Sequence, residues 1–274
     1  MPDMTVRRMN FAFTPDMERV FVKDDPQTSY VFLGTWMMLP YLEPYLIRTM
    51  RQALPHITDP ALKEDLKRFC AQEGEHYKQH ARANELLRGL NPGFAPLKAL
   101  EAELDAEFKA FSKERPLKFN LAYAEGFESM TSAMSRIQLE TGMFDRVASP
   151  LADLARWHVM EELEHRTVAF DVYEHVVGSY PYRLRTGIWA QRHFIGWGNR
   201  LARVMREAEP EVFARYDTPE AAASRKAFSA AFWRKALPAW LGTYMPWYSP
   251  RRIRMPQAFE DARSHYSQLA VSFG

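Results

Sequence analysis

Apolar residues recur at helical spacing over most of the chain, and short polar or proline-rich stretches interrupt them. A spacing of three and four residues between apolar positions is typical of amphipathic helices. The sequence shows neither strand-like alternation nor an Asn-Gly hairpin signal. We therefore expect an all-α protein. The pattern predicts four long helices, at about residues 28–54, 60–89, 116–140 and 150–177.

A shorter amphipathic helix is predicted between the second and third long helices, at about residues 97–111. The link that contains it is long, whereas the breaks at 55–60 and 141–150 are short. Two helical hairpins joined by a long crossover are one arrangement of ferritin-like four-helix bundles. We predict this fold, with a crossover helix and with additional helices in the C-terminal part of the chain.

Local signals mark the start of one helix and a disturbance in another. Asp59 and Pro60 suit the N-cap and the first position of the second long helix. Pro40 and Pro44 lie in the first long helix, on either side of Glu43. Because a proline within a helix removes a hydrogen bond, it bends or breaks the helix. A kink beside a functional carboxylate and a break between two shorter helices both agree with this pattern.

The N-terminal residues lack a helical pattern. Residues 1–27 predict an irregular arm whose Phe11, Phe13 and Phe21 pack on the body of the protein. The bundle is expected to span residues 28–178 and to bind the metal described below. The remaining residues, 179–274, are expected to form a helical extension packed on the bundle, so that the chain is a single domain overall.

The predicted extension is rich in aromatic residues. Helical stretches are expected at about 182–207, 219–236 and 257–270. Their aromatic faces suit helices that pack across the bundle, with or without a homodimer interface. They also suit a cover over a substrate or a face that contacts a membrane surface.

Composition limits the classes of function. The chain has 274 residues, 36 basic and 34 acidic side chains and a formal charge of +2, which gives no overall field for nucleic acid. No apolar run reaches the roughly 20 residues that span a bilayer. The first ten residues lack the apolar core of a secretory signal. With Cys70 as its one cysteine, the protein is expected in the reducing cytoplasm.

Two Glu-x-x-His pairs carry the candidate chemistry. One is Glu73 with His76, and the other is Glu162 with His165. Residues three apart lie on the same helix face, so each pair can direct a carboxylate and an imidazole at one point. In a chain of this length with 8 His, one such pair would occur by chance roughly once. A single pair is therefore weak evidence for a metal site, and the two pairs indicate one only if the rest of the chain brings them together.

The loop positions connect the two pairs to two further carboxylates. In an antiparallel hairpin, two residues at equal height are equally far from the loop. The midpoint between Glu43 and Glu73 is position 58, and that between Glu128 and Glu162 is position 145; both lie in predicted loops. Each hairpin would thus bring a lone Glu level with a Glu-x-x-His pair, as in di-metal carboxylate bundles. Carboxylate and imidazole ligands suit Fe, Mn or Zn.

Several nearby residues leave the ligand set open. Glu125 lies one turn before Glu128 and could replace it, and Glu161 could compete with Glu162. His80 and His158 lie one turn from the two pairs, either as further ligands or as residues that support them. We expect three other glutamates to be solvated on helix surfaces: Glu75, Glu85 and Glu164.

The stretch from Trp157 to Tyr173, which contains Trp-His-Val-Met-Glu-Glu-Leu-Glu-His, resembles a bacterial family described as predicted metal-dependent hydrolases. The residues from Gln72 to His76, with His80, and the residues from Glu128 to Thr131 resemble the same family. The resemblance covers roughly residues 30–178 in the same order. It implies a ligand pattern like that of ferritin-like di-iron proteins.

A more distant likeness is to the di-iron arylamine N-oxygenases, such as p-aminobenzoate N-oxygenase. These have a single Glu, a Glu-x-x-His pair, a single Glu and then His-x-x-x-Glu-x-x-His. The last pattern matches His158, Glu162 and His165 here, and the likeness implies that His158 is a third histidine ligand. Gln79 stands where that family has a Glu beside its second histidine.

The leading hypothesis is a di-iron enzyme that uses O2 to hydroxylate, desaturate or N-oxygenate a small organic substrate, with electrons from a separate donor. The second is a Zn, Mn or Fe hydrolase of an ester or phosphoester, because two metals also activate water. The third is a metal-storage or structural bundle without a substrate. A fourth holds that these Glu and His residues are surface charges of helices.

Overall fold

The computed structural model describes residues 4–271 and contains ten α-helices and no strand within that range. The prediction of an all-α, ferritin-like bundle is confirmed. The helices are α1 Pro26–Ala53, α2 Pro60–Leu90, α3 Leu97–Glu114, α4 Leu117–Glu140, α5 Pro150–His165, α6 Val168–Val176, α7 Tyr180–Ala208, α8 Pro210–Ala214, α9 Pro219–Gly242 and α10 Gln257–Leu269.

The bundle consists of two hairpins. Helix α1 packs against α2, and α4 packs against α5 and α6. Helix α3 lies in the crossover between the hairpins, where the sequence predicts it. Side-chain N-caps stabilise the starts of α1, α2 and α5. The capping residues are Asp25, Asp59 and Ser149, in that order, and each side chain accepts a hydrogen bond from a backbone amide in the first turn of its helix. The predicted start of α2 at Asp59 and Pro60 is therefore confirmed.

Two long helices differ from the simplest prediction. Helix α1 is continuous through Pro40 and Pro44, so the alternative of two short helices is wrong. The single helix predicted at 150–177 is wrong as well, because it is divided at Arg166 and Thr167 into α5 and α6. The Arg166 guanidinium donates to the carbonyl of Leu163 at 2.7 Å and to that of Pro250 at 3.2 Å. The side chain thus engages a carbonyl in the last turn of α5, where the helix ends.

Helix α7 lies unusually close to α1 and α4 because glycines face each other at the crossings. A Cβ on Gly126 of α4 would lie 2.3 Å from the Cα of Gly187 on α7. A Cβ on Gly34 of α1 would lie 2.4 Å from the carbonyl oxygen of Gly198. A methyl group does not fit at such distances, so these crossings require glycine. They hold the first helix of the C-terminal region directly on the bundle.

The N-terminal segment lies along the bundle, as predicted. Phe11 and Phe21 are buried in the core, and Phe13 packs against it. The outermost residues of the predicted arm and extension, 1–3 and 272–274, lie outside the described range. Within that range, no helix is long and apolar enough to cross a membrane. The proposed division of the chain at residues 27 and 178 stays a prediction.

Candidate metal centre

Four helices bring six predicted ligands into one buried cluster. Each of these side chains is at most 2% exposed. Burial of four carboxylates in one place is costly unless something compensates their charge. The reading of these residues as helix-surface charges is therefore inconsistent with their burial. The six clustered ligands are Glu43 from α1, Glu73 and His76 from α2, Glu128 from α4, and Glu162 and His165 from α5.

The facing donor atoms lie at distances that suit a shared ion. His165 Nε2 is 3.3 Å from a Glu73 oxygen and 3.5 Å from an oxygen of both Glu128 and Glu162. His76 Nδ1 is 3.8 Å from a Glu73 oxygen and 3.9 Å from a Glu162 oxygen. An ion bound at about 2.0–2.2 Å from each ligand holds neighbouring donors roughly 3–4 Å apart. The cluster already has this spacing.

Several donor atoms of the cluster are buried and have no hydrogen-bond partner. In folded proteins such atoms are rare and call for an explanation. A cation accounts for all of them at once, because every one can donate a lone pair. These atoms are both oxygens of Glu43, both oxygens of Glu128, Glu73 Oε1, Glu162 Oε2, His76 Nδ1 and His165 Nε2.

The electrostatics of the cluster also favour binding of a cation. Burial, together with the neighbouring carboxylates, raises the pKa of Glu43 and of Glu73 well above the usual value. The same causes raise the pKa of Glu128 to about 7. Burial opposes ionisation of Glu162 too, but the nearby His165 and His158 outweigh it and lower its pKa. Two divalent ions would balance the four carboxylates.

The donor atoms divide into groups that share residues. Glu43, Glu73 and His76 form one group, and Glu73, Glu128 and His165 form another, each with ligand atoms within 4.8 Å of one another. Glu73 belongs to both, which is the arrangement expected of a carboxylate between two ions. The residues present therefore fit a pair of metal ions bound by carboxylates and imidazoles.

His158 and His80 extend the cluster on one side. His158 Nε2 lies 3.0 Å from a Glu162 oxygen, and His158 Nδ1 lies 2.9 Å from His80 Nε2. Both histidines also form a possible three-residue group with Glu43, and His158 forms another with His76 and Glu162. His80 Nδ1 is buried without a partner. The geometry thus permits His158, His80 or both as ligands.

Glu125 and Glu161 do not face the common point. The Glu125 carboxylate accepts hydrogen bonds from Arg183 at 2.8 Å and from Ser129 at 2.7 Å. Glu161 lies behind His76, with one oxygen 3.2 Å from His76 Nε2 and the other 3.0 Å from the Arg7 guanidinium. Neither carboxylate points into the space between the donor atoms. The structure therefore brings together Glu128 and Glu162, not their two alternatives.

Arg7 in the N-terminal arm supports both histidines of the pairs. It binds Glu161, whose other oxygen meets His76 Nε2, and it binds Glu164 at 2.8 and 2.9 Å. Glu164 in turn accepts from the Gln72 amide at 2.8 Å, and Gln72 Oε1 lies 3.1 Å from His165 Nδ1. Because the Gln72 amide nitrogen donates elsewhere, its oxygen accepts from His165 Nδ1. That contact leaves His165 Nε2 free for a metal.

The sequence does not predict this network. Glu164 is 3% exposed and Glu75 is 7% exposed, so the expectation that both are solvated is wrong; Glu85 is exposed as predicted. The reason is the arm, which covers Glu164 and places Arg7 against it. Arg7 is more than 150 positions from its partners, and no local pattern links residues so far apart.

An apolar cavity of about 150 Å³ opens beside the cluster. Glu162 and His158 form one part of its wall, and residues such as Trp36, Phe127 and Met130 form much of the rest. Burial lowers the pKa of His76 and of His80 well below the usual value, so their ring nitrogens are available as lone-pair donors. The site thus combines metal-binding groups with space for a small apolar ligand.

Comparison with known protein families gives one match. A family model described as "Predicted metal-dependent hydrolase" matches residues 5–253, which is most of the chain. The matched region includes the arm with Arg7, all six clustered ligands, and helix α9. Comparisons with curated proteins and with solved structures find no match.

Proposed function

We propose that this chain, which belongs to the family of predicted metal-dependent hydrolases, is an enzyme whose two-metal centre oxidises an organic substrate with O2. The observation that carries the proposal is the set of buried donor atoms without partners on four carboxylates and two imidazoles. An oxygen-rich ligand set with two histidines is the set that di-iron carboxylate bundles use. The reaction class would be hydroxylation, desaturation or N-oxygenation.

Each residue has a distinct task in this proposal. Glu43, Glu73, Glu128 and Glu162 would hold the two ions together with His76 and His165. Glu73 and Glu162 have oxygens 3.3–3.9 Å from ring nitrogens of both histidines. Glu161 and Gln72 hold the imidazoles of His76 and His165 in place through the outer ring nitrogens. A pair of ferrous ions, when bound, supplies electrons for the reduction of O2. Insertion of one oxygen atom into the substrate reduces the other to water, so each turnover takes two protons and, from an external electron donor, the two electrons that restore the ferrous ions.

The apolar wall of the cavity has a further role. Trp36, Phe127 and Met130 give the space beside His158 and Glu162 an apolar lining that would limit the access of bulk water. Exclusion of water protects reactive species from side reactions. A substrate carbon or nitrogen in this space would lie next to the ligands. Such a cavity favours a reaction over the alternative of metal storage, which requires no substrate space.

Oxygen uptake by the iron-loaded protein tests the proposal. The chain is purified anaerobically, loaded with two equivalents of Fe²⁺ and mixed with O2 while O2 consumption and the optical spectrum are recorded. We expect rapid O2 consumption and a new absorption band. Glu162→Ala should abolish both, and Glu85→Ala, a change at an exposed glutamate, should leave both unchanged. No O2-dependent change in the wild-type protein would refute the proposal.

Hydrolysis is the second candidate, and the description of the family favours it. Two metals can position a water molecule and stabilise the charge that develops on an ester or phosphoester. The same residues would bind Zn²⁺ or Mn²⁺ for this reaction. Cleavage of model esters or phosphoesters by the Zn²⁺- or Mn²⁺-loaded chain, without O2 consumption and with loss of activity in Glu162→Ala, would select this candidate instead.

A further inference from the structure

A second cavity lies between helix α9 and the bundle. Its volume is about 320 Å³, and Phe228, Phe232 and Trp233 of α9 form its outer wall. Trp233 is 47% exposed, so this wall reaches the protein surface. None of the metal-binding residues lines this second cavity, whereas Glu162 and His158 line the first.

The two cavities share one wall. Val31 and Phe32 of α1 and Met134 and Gln138 of α4 line both of them. The space beside Glu162 and the space under α9 are therefore adjacent across these four side chains. Met134 and Gln138 are long unbranched side chains, and Met adapts readily to a changed surrounding, so a ligand could occupy both cavities at once after a change of rotamer at these two positions.

Most polar side chains along this route are already engaged. The hydroxyls of Thr35 and Thr131 donate to carbonyls of their own helices, at 2.8 Å and at 3.1–3.2 Å. At the outer end, the Asp25 carboxylate accepts from the backbone amide and the hydroxyl of Thr28, at 2.9 and 2.7 Å. No lysine or arginine lines either cavity in the described part of the chain. The route thus offers a ligand mainly C–H and aromatic surface.

The apolar surface continues outside the route. Trp233, Leu237 and Leu241 follow one another at four-residue intervals on α9 and are 47%, 45% and 48% exposed. Residues at this spacing lie on one helix face. The outer wall of the second cavity thus leads onto an exposed apolar stripe, on which an apolar chain in solution would first adsorb.

We infer that the substrate carries an extended apolar chain, such as the alkyl chain of a fatty acid, amine or alcohol, and that this chain passes under α9 to the metal centre. The reacting atom would lie beside Glu162 and His158, and the rest of the chain would fill the space between Val31 and Trp233. The inference rests on the proposed function for the identity of the reacting end, but not for the binding of the chain.

Binding of a fluorescent fatty acid tests this inference. The probe is an 18-carbon conjugated polyene fatty acid, whose fluorescence rises in an apolar site, and the full-length chain is used with and without metal. Saturated fatty acids of 6 to 16 carbons compete with the probe. We expect one site per chain and competition that strengthens roughly fourfold for each added methylene until the route is filled. Competition that does not depend on chain length would overturn the inference.

Tryptophan substitutions locate the bound chain. Val31→Trp would fill space where the two cavities meet, and Ser229→Trp would fill part of the outer cavity from an exposed position on α9. Both should weaken probe binding at least tenfold. Ala230→Trp is the matched control, because Ala230 is exposed on the same helix but does not line either cavity. Equal binding by Ser229→Trp and Ala230→Trp would show that the probe binds elsewhere and would refute the inference.

A metal-site variant separates this inference from the proposed function. Glu73→Ala with His165→Ala, a change of two predicted ligands that line neither cavity, should lose its metal but still bind the probe within about threefold of the wild-type protein. If that variant binds the probe and the iron-loaded wild type consumes no O2, the route stands and the oxidation proposal fails. If the wild type consumes O2 but binds no probe, the proposed function stands and the apolar chain is wrong.

Discussion

Replacement of Arg7 by methionine tests whether the N-terminal arm supports the metal centre. Arg7 belongs to the arm and is 1% exposed. Its guanidinium forms ion pairs with both Glu161 and Glu164 of α5, at 3.0 and 2.8 Å. The change keeps the length of the side chain but removes the charge and its hydrogen bonds. It leaves Glu161 beside His76 without its guanidinium partner. Glu164, which reaches His165 through Gln72, keeps the Arg263 guanidinium, at 3.5 Å, as an ion-pair partner.

The size of the effect follows from these contacts. Removal of one partner from a buried ion pair costs about 3–5 kcal/mol of folding stability. Burial raises the pKa of Glu161 to about 8 although Arg7 lowers it, so loss of Arg7 should raise this pKa further and extend the protonated form of Glu161 to higher pH. A protonated Glu161 accepts less strongly from His76 Nε2. Loss of such support for a metal ligand typically weakens metal affinity about 10–100-fold.

The assay combines denaturant unfolding of the metal-free protein with a titration of Fe²⁺ or Zn²⁺. We expect Arg7→Met to lose about 4 kcal/mol of unfolding free energy and at least tenfold in metal affinity. Arg8→Met is the control, because Arg8 is half exposed and its ion pair with Glu75, at 3.9 Å, should contribute at most about 1 kcal/mol.

A rescue variant distinguishes support of the metal from a general effect on folding. Glu161→Gln and Glu164→Gln, added to Arg7→Met, remove the two buried carboxyl groups that Arg7 contacts in the wild-type protein and should restore part of the stability. They should not restore metal affinity, since a neutral amide behind His76 cannot replace the carboxylate. The reasoning would be refuted if Arg7→Met lost no more stability than Arg8→Met and bound metal within twofold of the wild-type protein.

Three further predictions concern pH, helix packing and ligand identity. The pKa of Glu128 is raised from the usual 4.5 to about 7, so between these values the metal-free native state binds more protons than the unfolded state, and the stability of the metal-free protein should fall as pH rises. Metal affinity should rise over the same range, because the carboxylate must lose its proton to bind the metal. The difference in Tm with and without metal should therefore widen from pH 5 to pH 8. Gly126→Ala should destabilise the protein by about 1–3 kcal/mol in denaturant unfolding, whereas Gly196→Ala, with open space around its Cβ, should be neutral or stabilising by up to about 1 kcal/mol. Glu125→Gln should leave metal content per chain unchanged in elemental analysis, and a loss of one ion would place Glu125 in the centre after all.

Much of the fold is predictable because local signals and helical spacing agree. Asp59 and Pro60 begin α2 where capping chemistry places a helix start. The equal distances of Glu43 and Glu73 from one loop, and of Glu128 and Glu162 from another, follow from antiparallel geometry and bring these carboxylates together in the structure. Such predictions need only the chain order and the rise of a helix.

The remaining features depend on contacts between distant segments. Nothing near Arg166 in the sequence indicates that its guanidinium binds a carbonyl of the turn before it and one at Pro250. Arg7 reaches Glu164 only because the arm folds along the bundle. The second cavity likewise arises where α9 lies over residues of α1 and α4, and the helical pattern of α9 does not indicate which helices it packs against.

An anomalous-difference map, recorded at the iron absorption edge on crystals of the iron-loaded protein, tests the central claim most directly. We expect two peaks per chain, about 3.5–4 Å apart as in other two-metal sites. Both should lie among Glu43, Glu73, His76, Glu128, Glu162 and His165. A map with no peak among these residues, or with peaks only at the protein surface, would contradict the existence of the metal centre.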